Sequence, residues 1–248
     1  MNVYGLIGNP LGHSFSKKYF TEKFEKENLD DCRFELYPLP AISEFLLLIE
    51  NTKDLKGLAV TIPYKETVIP FLDDVQEEAK KIGAVNCIKI TTNKLTGYNT
   101  DSIGFERSLK PLLQPHHNKA LILGSGGSSK AVQYVLNKLQ IVFLVVTRNK
   151  VPANGFINYD AVDKHILDEY PLIINCTPVG MFPNEAEQPL LPYHFLNKKN
   201  LLFDLVYRPE ETKFLASGKQ YGATIKNGLE MLMIQAEENW RIWNRGGV

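Results

Sequence analysis

Lys65 stands just beyond an apolar run, Ala59-Val60-Thr61-Ile62, that closes on Pro63-Tyr64. An ammonium at a strand end that faces a cleft can hold negative charge on a substrate oxygen and hand it a proton. On an open surface the same group is only a solvated cation, and spacing does not separate the two. Asp101 follows Tyr98-Asn99-Thr100 where a strand gives way to a helical pattern. Its carboxylate can orient an ammonium or accept from a substrate hydroxyl, and it can equally cap the helix that starts there. Ser14 and Ser16 flank Phe15 after a Gly12-His13 turn. Two hydroxyls at a helix start can hold a carboxylate, or one can simply serve as N-cap. Gly83-Ala84-Val85-Asn86 sets an amide at another element boundary, and loops at strand ends are where α/β sites collect.

A second kind of chemistry is written in Leu121-Ile122-Leu123-Gly124-Ser125-Gly126-Gly127-Ser128-Ser129. A buried strand pattern runs into glycines and a helix pattern follows at once. Glycine permits positive φ and close approach of backbone N–H groups to a pyrophosphate, and the helix N-terminus adds partial positive charge. Ser129 stands where G-x-G-x-x-G has its third glycine, and is small enough for close helix–strand packing. The next apolar run, Ile141–Val146, ends in Thr147-Arg148-Asn149-Lys150. An NAD site carries Asp or Glu there, roughly 20 residues past the first glycine, on the ribose 2′-hydroxyl. A guanidinium beside an ammonium suits a 2′-phosphate instead, which favours NADP over NAD. The alternative is a solvated basic loop.

These groups must be carried by something. Short β-branched runs alternate with longer amphipathic stretches, the pattern of an α/β fold with a largely parallel sheet. Strands are expected at Val3–Ile7, Arg33–Tyr37, Gly57–Thr61 and Val85–Ile90. Helices are expected at Phe15–Glu27, Ser43–Ile49, Asp74–Ile82 and Asp101–Leu113. The polar stretch Gln114–Lys119 reads as the entry to a second domain. There, strands at Ala120–Gly124, Ile141–Val146, Leu172–Asn175, Leu201–Leu205 and Ala223–Ile225 join a helix at Ser128–Leu139. A Met-, Leu- and Trp-rich helix closes the chain at Leu229–Trp243. On it, Gly228, Met231, Leu232 and Gln235 share one face, which is at least a packing face.

The bulk numbers agree with a globular protein. The chain has 248 residues, 44% of them apolar, which disfavours disorder. Formal net charge is zero, so no footprint for nucleic acid or an anionic membrane is expected. No apolar run approaches the ~20 residues that span a bilayer, and the N-terminus lacks a signal-peptide pattern. Three scattered cysteines, Cys32, Cys87 and Cys176, suit a reducing cytoplasm, and no metal-ligand spacing is present.

Taken in order, these motifs resemble the shikimate dehydrogenase family. The resemblance rests on Ser14-Phe15-Ser16, Val60-Thr61-Ile62-Pro63-Tyr64-Lys65, Gly83-Ala84-Val85-Asn86, Asn99-Thr100-Asp101 and the glycine loop. It continues in Asn175-Cys176-Thr177-Pro178-Val179-Gly180-Met181, Asp204-Leu205-Val206-Tyr207 and Gly228 to Gln235-Ala236, and so covers almost the whole chain. It implies an N-terminal α/β substrate domain (residues 1–104, completed by a helix at 228–245) and a C-terminal Rossmann-like doubly wound parallel-sheet domain (residues 105–227) that binds NADP, with the last helix returning to the first domain. The implied chemistry is NADPH-dependent reduction of 3-dehydroshikimate to shikimate, on the way to aromatic amino acids, with no metal. Lys65 and Asp101 would form the catalytic pair. Ser14 and Ser16 would hold the substrate carboxylate, and Thr61, Asn86, Asp101, Tyr207 and Gln235 would line the pocket. Gly124, Ser125, Gly126, Gly127 and Ser128 would hold the pyrophosphate, Thr147, Arg148 and Asn149 the adenosine end, and Leu205 and Gly228 the nicotinamide side. A small-molecule substrate, a monomer or homodimer and a cytoplasmic location complete the expectation.

Ala59, Cys87 and Ser102 stand where the family usually has Asn, Thr and Gly, and Thr147-Arg148-Asn149 where it commonly shows Asn-Arg-Thr. None removes an expected catalytic group. Two other readings stay open: a quinate/shikimate enzyme with NAD preference, and a catalytically silent NADP-sensing protein. Arg148 and the two serines weigh against the first, the retained Lys65 and Asp101 against the second.

Overall fold

The computed structural model describes residues 1–12, 14–92, 94–148 and 154–244. The expected adenosine-loop residues Asn149 and Lys150, His13 of the glycine turn and Arg245 at the end of the last helix lie outside the described residues. The chain divides into two units, one of Met1–Thr100 resumed from Gln235 onward, the other Asp101–Ile234. The sequence expectation put these junctions at 104/105 and 227/228.

The first unit holds β1 (Asn2–Gly8), α1 (Phe15–Lys26), β2 (Cys32–Pro38), α2 (Phe45–Asn51), β3 (Leu55–Val60), β4 (Asp74–Val75), α3 (Glu77–Ile82), β5 (Cys87–Thr91) and β6 (Lys94–Tyr98). Its sheet runs β2-β1-β3-β5-β6-β4. β1 is parallel to β2 and β3, but β5 runs antiparallel to both β3 and β6. β4 is parallel to β6, so β5 alone runs against the other five strands, and the expected largely parallel sheet carries one antiparallel member here. Thr91 pairs with Lys94, so β5 and β6 form a tight hairpin, and a hairpin needs no crossover helix. The expected strand from Val85 starts only at Cys87. The expected helix from Asp74 is a two-residue strand followed by α3 from Glu77.

The second unit holds α4 (Asp101–Leu109), β7 (Lys119–Leu123), α5 (Gly127–Lys138), β8 (Val142–Thr147), β9 (Phe156–Asn158), α6 (Lys164–Glu169), β10 (Leu172–Asn175), β11 (Leu201–Asp204), α7 (Lys213–Gln220) and β12 (Thr224–Lys226). The helix expected to reach Leu113 leaves α geometry at Leu109 and tightens into a 3₁₀ turn at Lys110–Leu112. Pro111 has no N–H to continue the ladder. The sheet order is β12-β11-β10-β7-β8-β9, with every pairing parallel. Side chains alternate along β7: Ala120 and Ile122 enter a core with Phe105, Val132, Val135 and Met231, while Leu121 and Leu123 enter one with Leu167, Phe214 and Leu215. Both faces of the sheet are therefore covered, as a parallel sheet requires.

The last helix, α8 (Leu229–Asn244), begins in the second unit and ends in the first. Its C-terminal half is keyed into the first unit by aromatic rings. Trp243 stacks on Tyr4 at 5.1 Å between centroids, and Phe20 stacks on Phe34 at 4.7 Å in the same core. The Trp243 indole N–H donates to the Ile88 carbonyl at 3.0 Å. Gly57 makes room for that ring, since a Cβ there would lie 2.3 Å from Trp243 Cδ1.

Candidate active site

In the first unit the expected site residues leave one edge of the sheet. β1 and β3 end there, at Gly8 and Val60, and β6 ends there at Tyr98. β5, running the other way, begins there, with Cys87 opposite both Ala59 and Tyr98. Ser14 and Ser16 follow β1, Thr61 and Lys65 follow β3, Asn86 precedes β5, and Thr100 follows β6. Ser14 is the N-cap of α1, accepting from the Lys17 backbone N–H at 3.4 Å, and its hydroxyl hydrogen remains a donor. Ser16 sits in the first turn of the same helix. Thr61 is pinned by its N–H to the Ile7 carbonyl at 2.9 Å.

The turn that carries Lys65 is braced on both sides. The Tyr64 hydroxyl donates to the Leu39 carbonyl at 2.5 Å, and the Tyr64 N–H to the Thr61 carbonyl at 2.9 Å. The Lys65 carbonyl accepts from the Val85 N–H at 2.7 Å. The lysine backbone is therefore fixed, and its long side chain has a rigid base.

Asn86 is brought to Gln235 of α8, its Nδ2 lying 3.4 Å from Gln235 Oε1, across 149 residues of sequence. Asn86 Oδ1 accepts from the Thr100 N–H at 2.7 Å, which ties the end of β6 and the residue before Asp101 into the same polar cluster. Asn239 joins it through the Thr100 hydroxyl at 2.7 Å, a residue that sequence motifs did not pick out. Asp101 is the first residue of α4 and opens the second unit. There the helix N-terminus favours a carboxylate.

The second unit gathers its expected residues at the C-terminal edge of its sheet. β7 and β10 are neighbours, and the chain winds away from them in opposite senses, so a crevice opens between the turns that follow them. Gly124 has φ +99°, a left-handed conformation, and a Cβ on it would lie 2.8 Å from Thr177 Cγ2 in the turn after β10. Gly126 is extended and caps α5, and a Cβ built on it would meet no heavy atom within 4 Å. The backbone at the start of α5 thus faces open space, which fits the approach of a pyrophosphate. Ser125 and Ser128 flank this turn, and Ser129 is fully buried, accepting from Gln133 Nε2 at 3.0 Å. Thr147 ends β8, and Arg148 is exposed just after it. The Arg148 charge reaches Tyr159, opposing the burial that raises that phenol's pKa. Leu205 and Gly228 meet backbone to backbone: a Cβ on Gly228 would lie 2.2 Å from the Leu205 carbonyl oxygen. Tyr207 follows in the turn after β11.

Buried groups to which the sequence motifs gave no role hold these turns. Asp204, fully buried at the end of β11, accepts from Asn175 Nδ2 at 3.0 Å, from the Val206 N–H at 3.0 Å and from the Thr212 hydroxyl at 2.6 Å. Asn175 Oδ1 in turn accepts from the Thr177 N–H and hydroxyl at 3.0 and 2.6 Å. The turns after β10 and β11 are therefore one assembly, packed against Gly124.

Burial pushes the Asp204 carboxyl up to about 6 from its ordinary 3.8, against the pull of its three hydrogen bonds. The folded state then holds this proton more tightly than the unfolded chain, so its contribution to stability falls as pH rises from about 4 to about 6 and levels off above that. Asp204→Asn is expected to lack this component. The difference in thermal midpoint, native minus variant, should move against the native protein across that window; a flat difference would mean an ordinary pKa.

Among the described residues no group of three or more His, Cys, Asp and Glu is poised for a metal ion, and no helix is long and apolar enough to cross a membrane. Cys32, Cys87 and Cys176 are free thiols.

A six-stranded parallel sheet that reverses its winding at β7/β10, with a glycine turn opening α5 at that point, defines a dinucleotide-binding α/β protein. Residues 6–88 match the family model described as the shikimate dehydrogenase substrate binding domain. The chain is 36% identical over 259 aligned positions to the shikimate dehydrogenase (NADP(+)) of Clostridium botulinum strain Hall, covering 100% of this chain and 98% of that protein. It superposes on shikimate dehydrogenase from Aquifex aeolicus with a TM-score of 0.88 at 34% identity, covering 100% and 94% of the two chains. The Thermus thermophilus enzyme, solved in complex with NADP(H) and shikimate, gives 0.82 at 30% identity, covering 98% and 94%. The chain belongs to the shikimate dehydrogenase family.

Proposed function

We propose that the chain catalyses the reversible NADPH-dependent reduction of 3-dehydroshikimate to shikimate in the cytoplasm, as a step toward aromatic amino acids. The observation that supports this reading best is the polar edge of the first sheet, where Thr61, the braced Lys65 turn, Asn86 and Gln235 collect around one end. A hydroxylated ring acid needs that density of fixed donors and acceptors.

NADPH, when bound, supplies a hydride to the ring carbonyl carbon. Lys65 then holds the negative charge that develops on the carbonyl oxygen and gives it a proton. Asp101 orients the ammonium and accepts from a neighbouring substrate hydroxyl. Ser14 and Ser16 donate to the substrate carboxylate at the start of α1, while Thr61, Asn86, Tyr207 and Gln235 fix the ring. The unit that carries Ser14, Thr61 and Lys65 is assigned to the substrate and the other to the dinucleotide. Gly124 to Ser128 take the pyrophosphate, Thr147, Arg148 and Asn149 the adenosine end, and Leu205 and Gly228 the nicotinamide.

The test is appearance of NADPH absorbance on mixing the protein with shikimate and NADP⁺, run in parallel with quinate and with NAD⁺. Turnover confined to the NAD⁺ or quinate arm, or binding without turnover, would replace this reading. Arg148→Ala should raise KM for NADP⁺ by about 10- to 100-fold, the weight of a charge-assisted contact, and leave KM for NAD⁺ nearly unchanged. Equal losses with both coenzymes would take the 2′-phosphate away from Arg148.

A further inference from the structure

In the second unit, backbone groups that cannot reverse set the direction of each bond in the turn after β10. The Thr177 N–H can only donate, and it meets Asn175 Oδ1 at 3.0 Å. Nδ2 is then the donor end of the Asn175 amide, and both groups it faces are acceptors: Asp204 Oδ1 at 3.0 Å and the Val179 carbonyl at 3.5 Å. The Val179 N–H likewise can only donate, and it meets Thr177 Oγ1 at 3.3 Å. The Thr177 hydroxyl therefore gives its single hydrogen to Asn175 Oδ1, at 2.6 Å. With the hydroxyl held between Asn175 and Val179, the Thr177 rotamer is set, and its methyl is the branch turned to the glycine turn. A Cβ on Gly124 would lie 2.8 Å from that methyl, closer than the 3.5 Å to the Cys176 carbonyl carbon or the Thr177 nitrogen.

We propose that Thr177 is a positioning residue for the coenzyme. Its methyl, aimed by Asn175, props Gly124 so that the glycine turn meets a pyrophosphate already in its binding shape. The inference rests on the assignment of Gly124 to Ser128 to the pyrophosphate. Gly124 sits at φ +99° with no side chain to limit its backbone, and glycine has more conformational freedom to lose than any other residue. Its turn therefore keeps one shape only as far as its surroundings hold it. Thr177 can hold it because the wall behind is itself tied down. Asp204 accepts from Asn175 and from the Thr212 hydroxyl, and Thr212 accepts from the Leu215 N–H of α7 at 3.3 Å. Without the methyl the turn samples other shapes, and part of the coenzyme's binding free energy goes into ordering it.

The experiment compares native protein with Thr177→Ser and Thr177→Val. Thr177→Ser keeps the hydroxyl and its bonds and loses the methyl. Thr177→Val keeps two γ branches on a stiff χ1, one of them still against Gly124, and loses the hydroxyl. NADP⁺ and adenosine 2′-phosphate, which has no pyrophosphate, are titrated calorimetrically into each protein, and thermal midpoints are recorded. Thr177→Ser should weaken NADP⁺ about three- to tenfold, the weight of one packed methyl group, with adenosine 2′-phosphate bound as in the native protein. Thr177→Val should restore NADP⁺ affinity to within about twofold of native, yet have the lower thermal midpoint of the two, because it strands the Val179 N–H. Coenzyme affinity and stability thus rank the two variants in opposite orders, which a merely structural role would not produce. Native NADP⁺ affinity in Thr177→Ser, a loss shared equally by adenosine 2′-phosphate, or an affinity that follows stability across both variants overturns the positioning role alone. A native protein that does not bind NADP⁺ overturns the coenzyme assignment above, and this inference with it.

Discussion

Replacing Lys65 with alanine is expected to lower kcat by about 10²–10⁴ with little change in KM for shikimate, the loss that follows removal of a general acid. Lys65 follows Tyr64, whose hydroxyl is tied to Leu39, and its own carbonyl accepts from Val85, so truncating its side chain leaves the strand end where it is. The substrate would still be gripped by Ser14, Thr61, Asn86 and Gln235, and only charge stabilisation and proton delivery at the carbonyl oxygen would go. A variant that kept its kcat while KM rose would make Lys65 a binding group and move the acid elsewhere.

Trp243→Ala is expected to destabilise the protein by about 3–5 kcal/mol, measured by denaturant unfolding. The indole stacks on Tyr4, fills the space left by Gly57 and donates to the Ile88 carbonyl, so alanine opens a cavity and strands an acceptor at once. The same helix carries Gln235 and Asn239. Shikimate affinity should therefore fall in the variant before global unfolding does, as the C-terminal half of α8 loosens. A loss below about 1 kcal/mol would mean that the ring is not keyed into the core as described.

The second unit was the more legible of the two. Its β7, β8, β10 and β11 each hold an uninterrupted apolar run of three to five residues, and a strand in a sheet covered on both faces announces itself that way. The glycine turn was legible too, because the positive φ at Gly124 is a demand that glycine meets. Shorter or more polar elements escaped. β6 (Lys94-Leu95-Thr96-Gly97-Tyr98) carries a lysine and a glycine in five residues, and β9 is three residues long. α6 and α7 are two turns each and were not expected. In the candidate site, Lys65, Asp101 and Gln235 were named from motifs, and their roles await the kinetics above. The pairings that brace the turns of both units were invisible for a physical reason. Thr100 and Asn239 are 139 residues apart, and Asn175 and Asp204 are 29 apart. A hydrogen bond between distant side chains leaves no periodic trace, and each of these residues alone looks like an ordinary cap or turn.

The antiparallel course of β5 and β6 has a practical consequence. Their tip-side ends, Thr91 and Lys94, lie at the far end of the pair from the edge that carries Asn86 and Thr100. Five strand residues at about 3.3 Å each separate the two ends by roughly 16 Å. An affinity tag or fluorophore spliced into that tip would report on the enzyme from a distance, leaving the chemistry at the opposite end of the hairpin to proceed undisturbed.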